Sequence, residues 1–437
     1  MGPATSDLRT APGSDARISR LSVASWVLYD LANTIFSLNI VSLYFSLWVV
    51  NVMGGSDTAY GLANSISMAV VFVASPLLGA LTDQAPRRLP FLIVSTLSCI
   101  AFTLLLGQGG LLFSLVFFAI ANISYQAGLQ FYDALLPEVS AESNRGWIGG
   151  LGVGFGYLGS LIGISVGRAL LDGVEALPVA EQTARYTTVF HATGILFLIF
   201  ALPAFFFVKE RVRADRHFSL ASVGAAARQV VDTVRSTQRY PGLVRFLTGR
   251  VFYTDAVNTV IAFMGIYVTN EVGFSADEAS LVLLVAIVFA AVGGFAWGKV
   301  VDRIGPKRSL NLVLTLWAIV FAWTALVGYL GLPGSTFWPV PCLAGIALGG
   351  TWAADRPYML RLTPPSRVGE FYGLYGMVGR FAAITGPAVW ALVADVLGWG
   401  RPTAVLTLLG GIVISYFILR PVSDSPREWP DEERAGA

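Results

Sequence analysis

Charge is scarce in this sequence. Only 13% of its 437 residues are Asp, Glu, Lys or Arg, against roughly a quarter in a soluble chain of that length. The basic and acidic residues nearly cancel, 29 against 27, so neither nucleic acid nor a strongly acidic partner is expected. Cysteine and histidine are rarer still. Cys99 and Cys342 lie in separate apolar runs, and His191 and His217 are isolated. That excludes a disulfide framework and leaves no ligand set for a metal, so no metal and no cofactor are expected. No nucleophile–base pair stands out, and the chain does not read as an enzyme. The first twenty residues contain Arg9, Arg17 and Arg20 but no apolar core; they are expected to be a cytoplasmic tail rather than a cleaved leader.

What the sequence does have is apolar length: 55% of residues are hydrophobic and the mean hydropathy is +0.67. Stretches of about 20 such residues each suffice to cross a bilayer. Twelve are found, at 23–50, 60–82, 89–107, 110–136, 147–170, 187–208, 245–269, 278–300, 309–330, 337–360, 368–395 and 402–420. The expected fold is an all-α membrane protein of twelve transmembrane helices in two six-helix bundles, 23–208 and 245–420. Tails at 1–22 and 421–437 and a polar linker at 209–244 complete it. Part of the linker, 219–238, reads as an amphipathic helix on the inner leaflet or as a solvated connection. With both termini inside, the inner loops and tails carry about 23 Lys or Arg, while the opposite loops hold Arg168, Arg185 and Arg401. The excess of basic residues fixes the orientation with both termini cytoplasmic. Arginine outnumbers lysine, and the expected location is a bacterial plasma membrane.

The two halves echo one another. Gly146, Gly150, Gly156 and Gly163 match Gly369, Gly373, Gly379 and Gly386 at an offset of about 223, and the pattern Asp30-x-x-Asn33-Thr34 returns as Asp255-x-x-Asn258-Thr259. The loop after the second span reads Gly79-x-x-x-Asp83 followed by Arg87 and Arg88. The loop after the eighth reads Gly298-x-x-x-Asp302-Arg303-x-Gly305-x-Lys307-Arg308. Both resemble the loop signature of the major facilitator superfamily, in which two parallel six-helix repeats rock about a central site. An acidic and basic turn at a helix end can lock to a neighbouring helix terminus and release it. Two soluble-enzyme patterns mislead. Gly154-x-Gly156-x-x-Gly159 follows no strand and belongs to a glycine stripe suited to close helix packing. The run Gly293–Lys299 is followed by Val300, where a phosphate loop needs a hydroxyl.

Polar groups inside apolar spans are costly and mark functional sites. They fall on spans one, four, seven, ten and eleven. Asp30 and Asn33 share a stripe on the first span, Gln126, Gln130 and Asp133 on the fourth, and Asp255 and Asn258 on the seventh. The tenth offers Thr351 and Asp355 with Arg356 beside them; the eleventh carries Tyr372, Tyr375 and Arg380. Arg380 lies about 18 Å into its helix at 1.5 Å per residue, near the midplane. Its planar fork suits a carboxylate or phosphate. The expected cavity set is Arg380, Asn33, Asn258, Gln126, Gln130, Tyr157, Tyr372, Tyr375 and Thr351. Asp30, Asp133, Asp255, Asp355 and Arg356, placed nearer the inner side, are expected to carry protons or gate, or else to hold the halves together.

Several blocks resemble one branch of the superfamily, the unknown-major-facilitator family related to vacuolar amino-acid effluxers of the autophagy pathway. They are Trp26-x-Leu28-Tyr29-Asp30-x-Ala32-Asn33, Phe131-Tyr132-Asp133-Ala134-Leu135-Leu136-Pro137-Glu138, Gly156-Tyr157-Leu158-Gly159, Arg361-Leu362-x-Pro364 and Glu370-Phe371-Tyr372-Gly373-Leu374-Tyr375. On the tenth span, Asp355 departs from that family's pattern. The resemblance implies a secondary transporter, with an amino acid or similar zwitterion as a plausible solute. An exporter of lipids or amphipathic drugs is the alternative. A monomer is expected, with the solute and the lipid bilayer as its partners.

Overall fold

The computed structural model describes residues 18–210, 220–235, 239–430 and Glu433. Most of the expected N-terminal tail, the linker stretches 211–219 and 236–238 and most of residues 431–437 lie outside this set. Among the described residues every regular element is helical, and twelve helices are numbered here in chain order. The first six are α1 (Arg20–Val52), α2 (Asp57–Asp83), α3 (Leu89–Leu104), α4 (Leu111–Ala134), α5 (Arg145–Leu171) and α6 (Val179–Phe207). The second six are α7 (Leu243–Asn270), α8 (Ala276–Ile304), α9 (Pro306–Leu330), α10 (Pro339–Arg361), α11 (Val368–Ala391) and α12 (Arg401–Leu419).

Eleven of these are long and apolar enough to cross a membrane; the exception is α3, with 16 residues. Its expected end, residue 107, is used instead in a turn, where Gly107, Gly109 and Gly110 all take positive φ. At 1.5 Å per residue α3 spans about 24 Å, short of a hydrocarbon core about 30 Å thick. Two segments of α1, Ser37–Leu43 and Trp48–Val52, are wound as π-helix. The linker contains a further helix, Leu220–Arg235, which packs against α2.

Each set of six helices packs mainly within itself, and the sets meet where α5 lies against α8 and α10, and α11 lies against α2 and α4. Small residues make these seams possible. A Cβ added at Gly150 of α5 would sit 2.6 Å from the Cα of Gly298 of α8, and one at Gly373 of α11 would sit 2.9 Å from the Cα of Pro76 of α2. Backbones this close leave no room for a side chain, which is how helices associate where apolar burial gives no drive. The glycine stripe of α5 has a second face: Gly152, Gly156 and Gly159 carry α1 residues Trp26, Asp30, Leu31 and Thr34. The replacement Gly150→Leu is therefore expected to hold α5 and α8 apart. Cross-linking of cysteine pairs placed on the two helices would fall at least tenfold, while the same change at Gly224, which has open space around it, would leave it unaltered.

Candidate functional site

The two loop signatures do the same thing twice. Asp83, at the end of α2, accepts hydrogen bonds from the backbone N–H groups of Gly369 (2.9 Å) and Glu370 (2.8 Å), the first turn of α11. Asp302, at the end of α8, accepts from Gly146 (2.7 Å) and Trp147 (2.8 Å), the first turn of α5. A carboxylate on the free N–H groups of a helix start is favoured by both hydrogen bonding and the helix dipole. The clasps differ in their surroundings. Asp83 is buried and pairs with buried Arg88 at 2.8 Å, whereas Asp302 is exposed. Arg87, Arg303 and Arg308 are exposed as well, and the Lys307 ammonium donates to the Arg420 carbonyl at 2.8 Å. Gly79 and Gly298 serve the seams, facing Gly369 and Gly146 respectively, while Gly305 turns the chain with φ 87°. Glu210 accepts from the N–H groups of Arg88 and Leu89, both at 2.8 Å; burial raises its carboxyl above the usual range, and these bonds oppose the rise.

The linker helix joins the first clasp, which the sequence did not reveal. Gln84 donates to Gln229 at 2.6 Å, and Gln229 donates to the buried carboxylate of Glu370 at 2.7 Å. Arg367 donates to Thr233 of the same helix and pairs with Glu433 at 3.2 Å.

One layer further in, Arg356 of α10 lies between two carboxylates of the first six helices: Asp30 of α1 at 3.2 Å and Asp133 of α4 at 3.0 Å. The bond to Asp30 is aligned for hydrogen bonding; the contact with Asp133 is an ion pair without that alignment. Arg356 also lies over the Tyr132 ring, and the Tyr372 hydroxyl donates to its backbone carbonyl. With Arg361–Glu142, these are the ion pairs that join the two sets of helices among the described residues. All lie toward the end that carries the basic loops. Asp30, Asp133 and Arg356 are buried there, and their pairs tie the two sets of helices together.

Asp355 points elsewhere. Its carboxylate takes Arg250 Nε at 3.1 Å and the hydroxyls of Tyr253 (2.6 Å) and Tyr375 (2.9 Å), while Arg250 also donates to the Tyr375 carbonyl and stacks on its ring. Asp355 and Tyr375, expected on a cavity or gate, are thus knitted into the interior of the second six helices. Thr351 is likewise engaged within the second six helices: it accepts from Trp317 Nε1 at 3.0 Å and donates to the Ala347 carbonyl. Gln130 donates to the Ser75 carbonyl within the first six helices. Arg250 is a further charged group inside an apolar span, the same signal that marks Asp30.

Arg380 stands apart from these networks. It is 6% exposed. Its Nη2 donates to the Gln126 carbonyl of α4 at 2.8 Å, and its Nε and Nη1 have no hydrogen-bond partner. No acid pairs with it among the described residues. Its guanidinium folds back over Gly376, where any side chain would displace it. Asn33 is 2% exposed, and both ends of its amide are also without partners. Tyr157 and Asn258 are both half-buried.

The repeated Asp-x-x-Asn-Thr pattern is not a repeat in space. Asp30 lies beside Gly152 and Gly156 of α5, whereas Asp255 lies beside Gly386 of α11, the counterpart of Gly163. The second acid is therefore displaced by two helical turns, about 10 Å. It sits near the middle of α7, bonded to Thr385 at 2.6 Å, and not near the basic end with Asp30. Helix spacing along the chain does not report where helices cross, which is why the match looked symmetric.

Comparison with known proteins agrees with this architecture. The family model described as "Vacuole effluxer Atg22 like" matches residues 140–427. The chain is 29% identical over 409 residues to the MFS-type transporter YxiO of Bacillus subtilis, covering 90% of this chain and 93% of that one. It is 23% identical over 303 residues to autophagy-related protein 22-1 of Neosartorya fischeri, covering 64% of this chain and 49% of that one. Among solved structures, the transporter FucP in the outward conformation superposes with a TM-score of 0.73 at 15% identity, covering 93% of this chain and 98% of FucP. The human organic anion transporter MFSD10 superposes with a TM-score of 0.68 at 16% identity, covering 92% and 99%. Helix count, seams and family match converge: the chain belongs to the Atg22-like family of major facilitator superfamily transporters.

Proposed function

We propose that this protein moves a small solute bearing a carboxylate, an amino acid or related zwitterion, across the membrane by alternating access. The observation that carries the reading is Arg380, buried near mid-helix with two N–H groups unpartnered. A buried guanidinium with donors to spare is costly unless a ligand completes it, and its fork matches a carboxylate. Asn33 and Gln126 are the neutral polar groups best suited to the rest of such a solute, and Asp255 is the acid for an amine. Asp30 and Asp133 share Arg356 across the two sets of helices, so a proton on either acid weakens the closure; this supports proton coupling. The basic loops support a cytoplasmic placement of that end and of both termini, in a bacterial plasma membrane.

The test is counterflow into proteoliposomes, preceded by a thermal-shift screen of amino acids, peptides and lipids. The expected result is saturable exchange of a zwitterion that slows when the pH gradient is collapsed. Exchange indifferent to the gradient rules out proton coupling for that solute, and no zwitterion hit rules out the solute class. The alternative, an exporter of lipids or amphipathic drugs, draws support from an apolar groove on α1 and α5. Its lining residues all come from the first half of the chain, which is less suited to a path between the halves.

A further inference from the structure

That groove has a cavity volume of about 670 Å³ and carries no role in the transport reading. Its walls are Val23, Val27 and Leu28 of α1 and Trp147, Leu151 and Phe155 of α5, with Arg20 and Asn144 at one end. Along either helix it runs about 12 Å at 1.5 Å per residue. It is therefore a slot with an apolar body and one polar end.

The polar end is positively charged. Arg20 is exposed at the start of α1, and exposed Lys299 of α8 places its ammonium 4.9 Å from the centre of the Trp147 ring. The nearby acid, Asp302, is already engaged by the N–H groups of Gly146 and Trp147. Two cations consequently flank one aromatic wall at the end of the molecule where the basic loops lie, the level of a lipid headgroup. An apolar slot with a cationic mouth fits one chemistry: an acyl chain with an anionic head.

We infer that the α1–α5 groove seats an anionic phospholipid, with an acyl chain between Val27 and Phe155 and the phosphate at Arg20 and Lys299. The site reaches the clasp. Trp147 forms a wall of the slot, its backbone N–H is held by Asp302, and its ring meets Lys299; beside it, Phe155 meets Phe295 of α8 edge-on at 5.6 Å. A lipid there touches groups of both sets of helices and favours the conformer closed at the basic end.

The experiment is native mass spectrometry of the full chain in detergent, titrated with phosphatidylglycerol and with phosphatidylcholine, alongside thermal melts with each lipid. The first bound phosphatidylglycerol is expected to be retained about tenfold more tightly than phosphatidylcholine and to raise the melting temperature. The pair Arg20→Gln with Lys299→Gln, both exposed, is expected to erase the preference. The change Ala24→Trp, an exposed position on the groove, is expected to remove the first tight lipid of either kind. Equal retention of the two lipids by the parent chain overturns the proposal. So does a preference that survives the charge changes, or tight binding unaffected by Ala24→Trp. Glycerol phosphate is expected to leave the melt unmoved; equal stabilisation by it assigns the cations to a free phosphate and removes the lipid.

Discussion

Replacing Arg380 by alanine is expected to lower transport of a carboxylate-bearing solute at least 100-fold while leaving the melting temperature unchanged or slightly raised. The two expectations come from the same geometry. With Nε and Nη1 unpartnered and one bond to the Gln126 carbonyl, the side chain contributes little to the resting fold, and losing it removes a buried charge with no acid beside it. In the loaded state a bidentate carboxylate would complete it, and truncating one partner of such a pair costs about 2–5 kcal/mol. Arg380→Lys keeps the charge but not the fork and is expected to fall between. Uptake into proteoliposomes and a thermal melt of the same preparations check both halves. Normal uptake by the alanine variant removes the residue from the solute site; a collapsed melt makes it a structural arginine instead.

The second large effect is expected at Arg356, and there stability and closure fail together. Its guanidinium lies 3.2 Å from Asp30 and 3.0 Å from Asp133. Alanine would leave two buried carboxylates facing each other without a counter-charge. Breaking a buried pair in this way costs about 3–5 kcal/mol. The melting temperature is expected to drop sharply, and a thiol placed at Gly149, a buried position with free space around it, is expected to react at least tenfold faster once Cys99 and Cys342 have been replaced. Adding Asp30→Asn and Asp133→Asn to Arg356→Ala is expected to recover most of the melt but not the closure. A triple variant as unstable as Arg356→Ala would show that the lost packing, and not the stranded charges, matters.

Short-range chemistry was legible in the sequence and long-range register was not. Asp83 and Asp302 could be assigned to helix-end locks because the turn that makes them spans ten residues, and their partners needed only to be helix starts. The eleven long spans follow from apolar length alone. The end of α3 falls short of residue 107 because Gly107, which continues an apolar run, takes a positive φ and turns the chain. The direction of a side chain within a helix bundle is a different matter. Asp355 and Arg356 are neighbours in sequence, yet one turns inward to Arg250 and the other crosses to Asp30. A stripe drawn at 100° per residue gives relative faces but not what each face meets. The linker helix illustrates the same boundary: its propensity was readable, but its bond from Gln229 to Glu370 joins residues 141 apart.

The inequality of the two clasps has a mechanical consequence. Asp302 faces water, where salt weakens its hold within a screening length of about 10 Å at 0.1 M; Asp83 is sealed beneath Arg88 and the linker helix. Two fasteners of different strength do not part together. In the alternating-access cycle proposed above, the α5–α8 edge is expected to yield first with the α2–α11 edge as the pivot, a lopsided swing rather than a symmetric spreading, and raising ionic strength is expected to lower the first barrier more than the second.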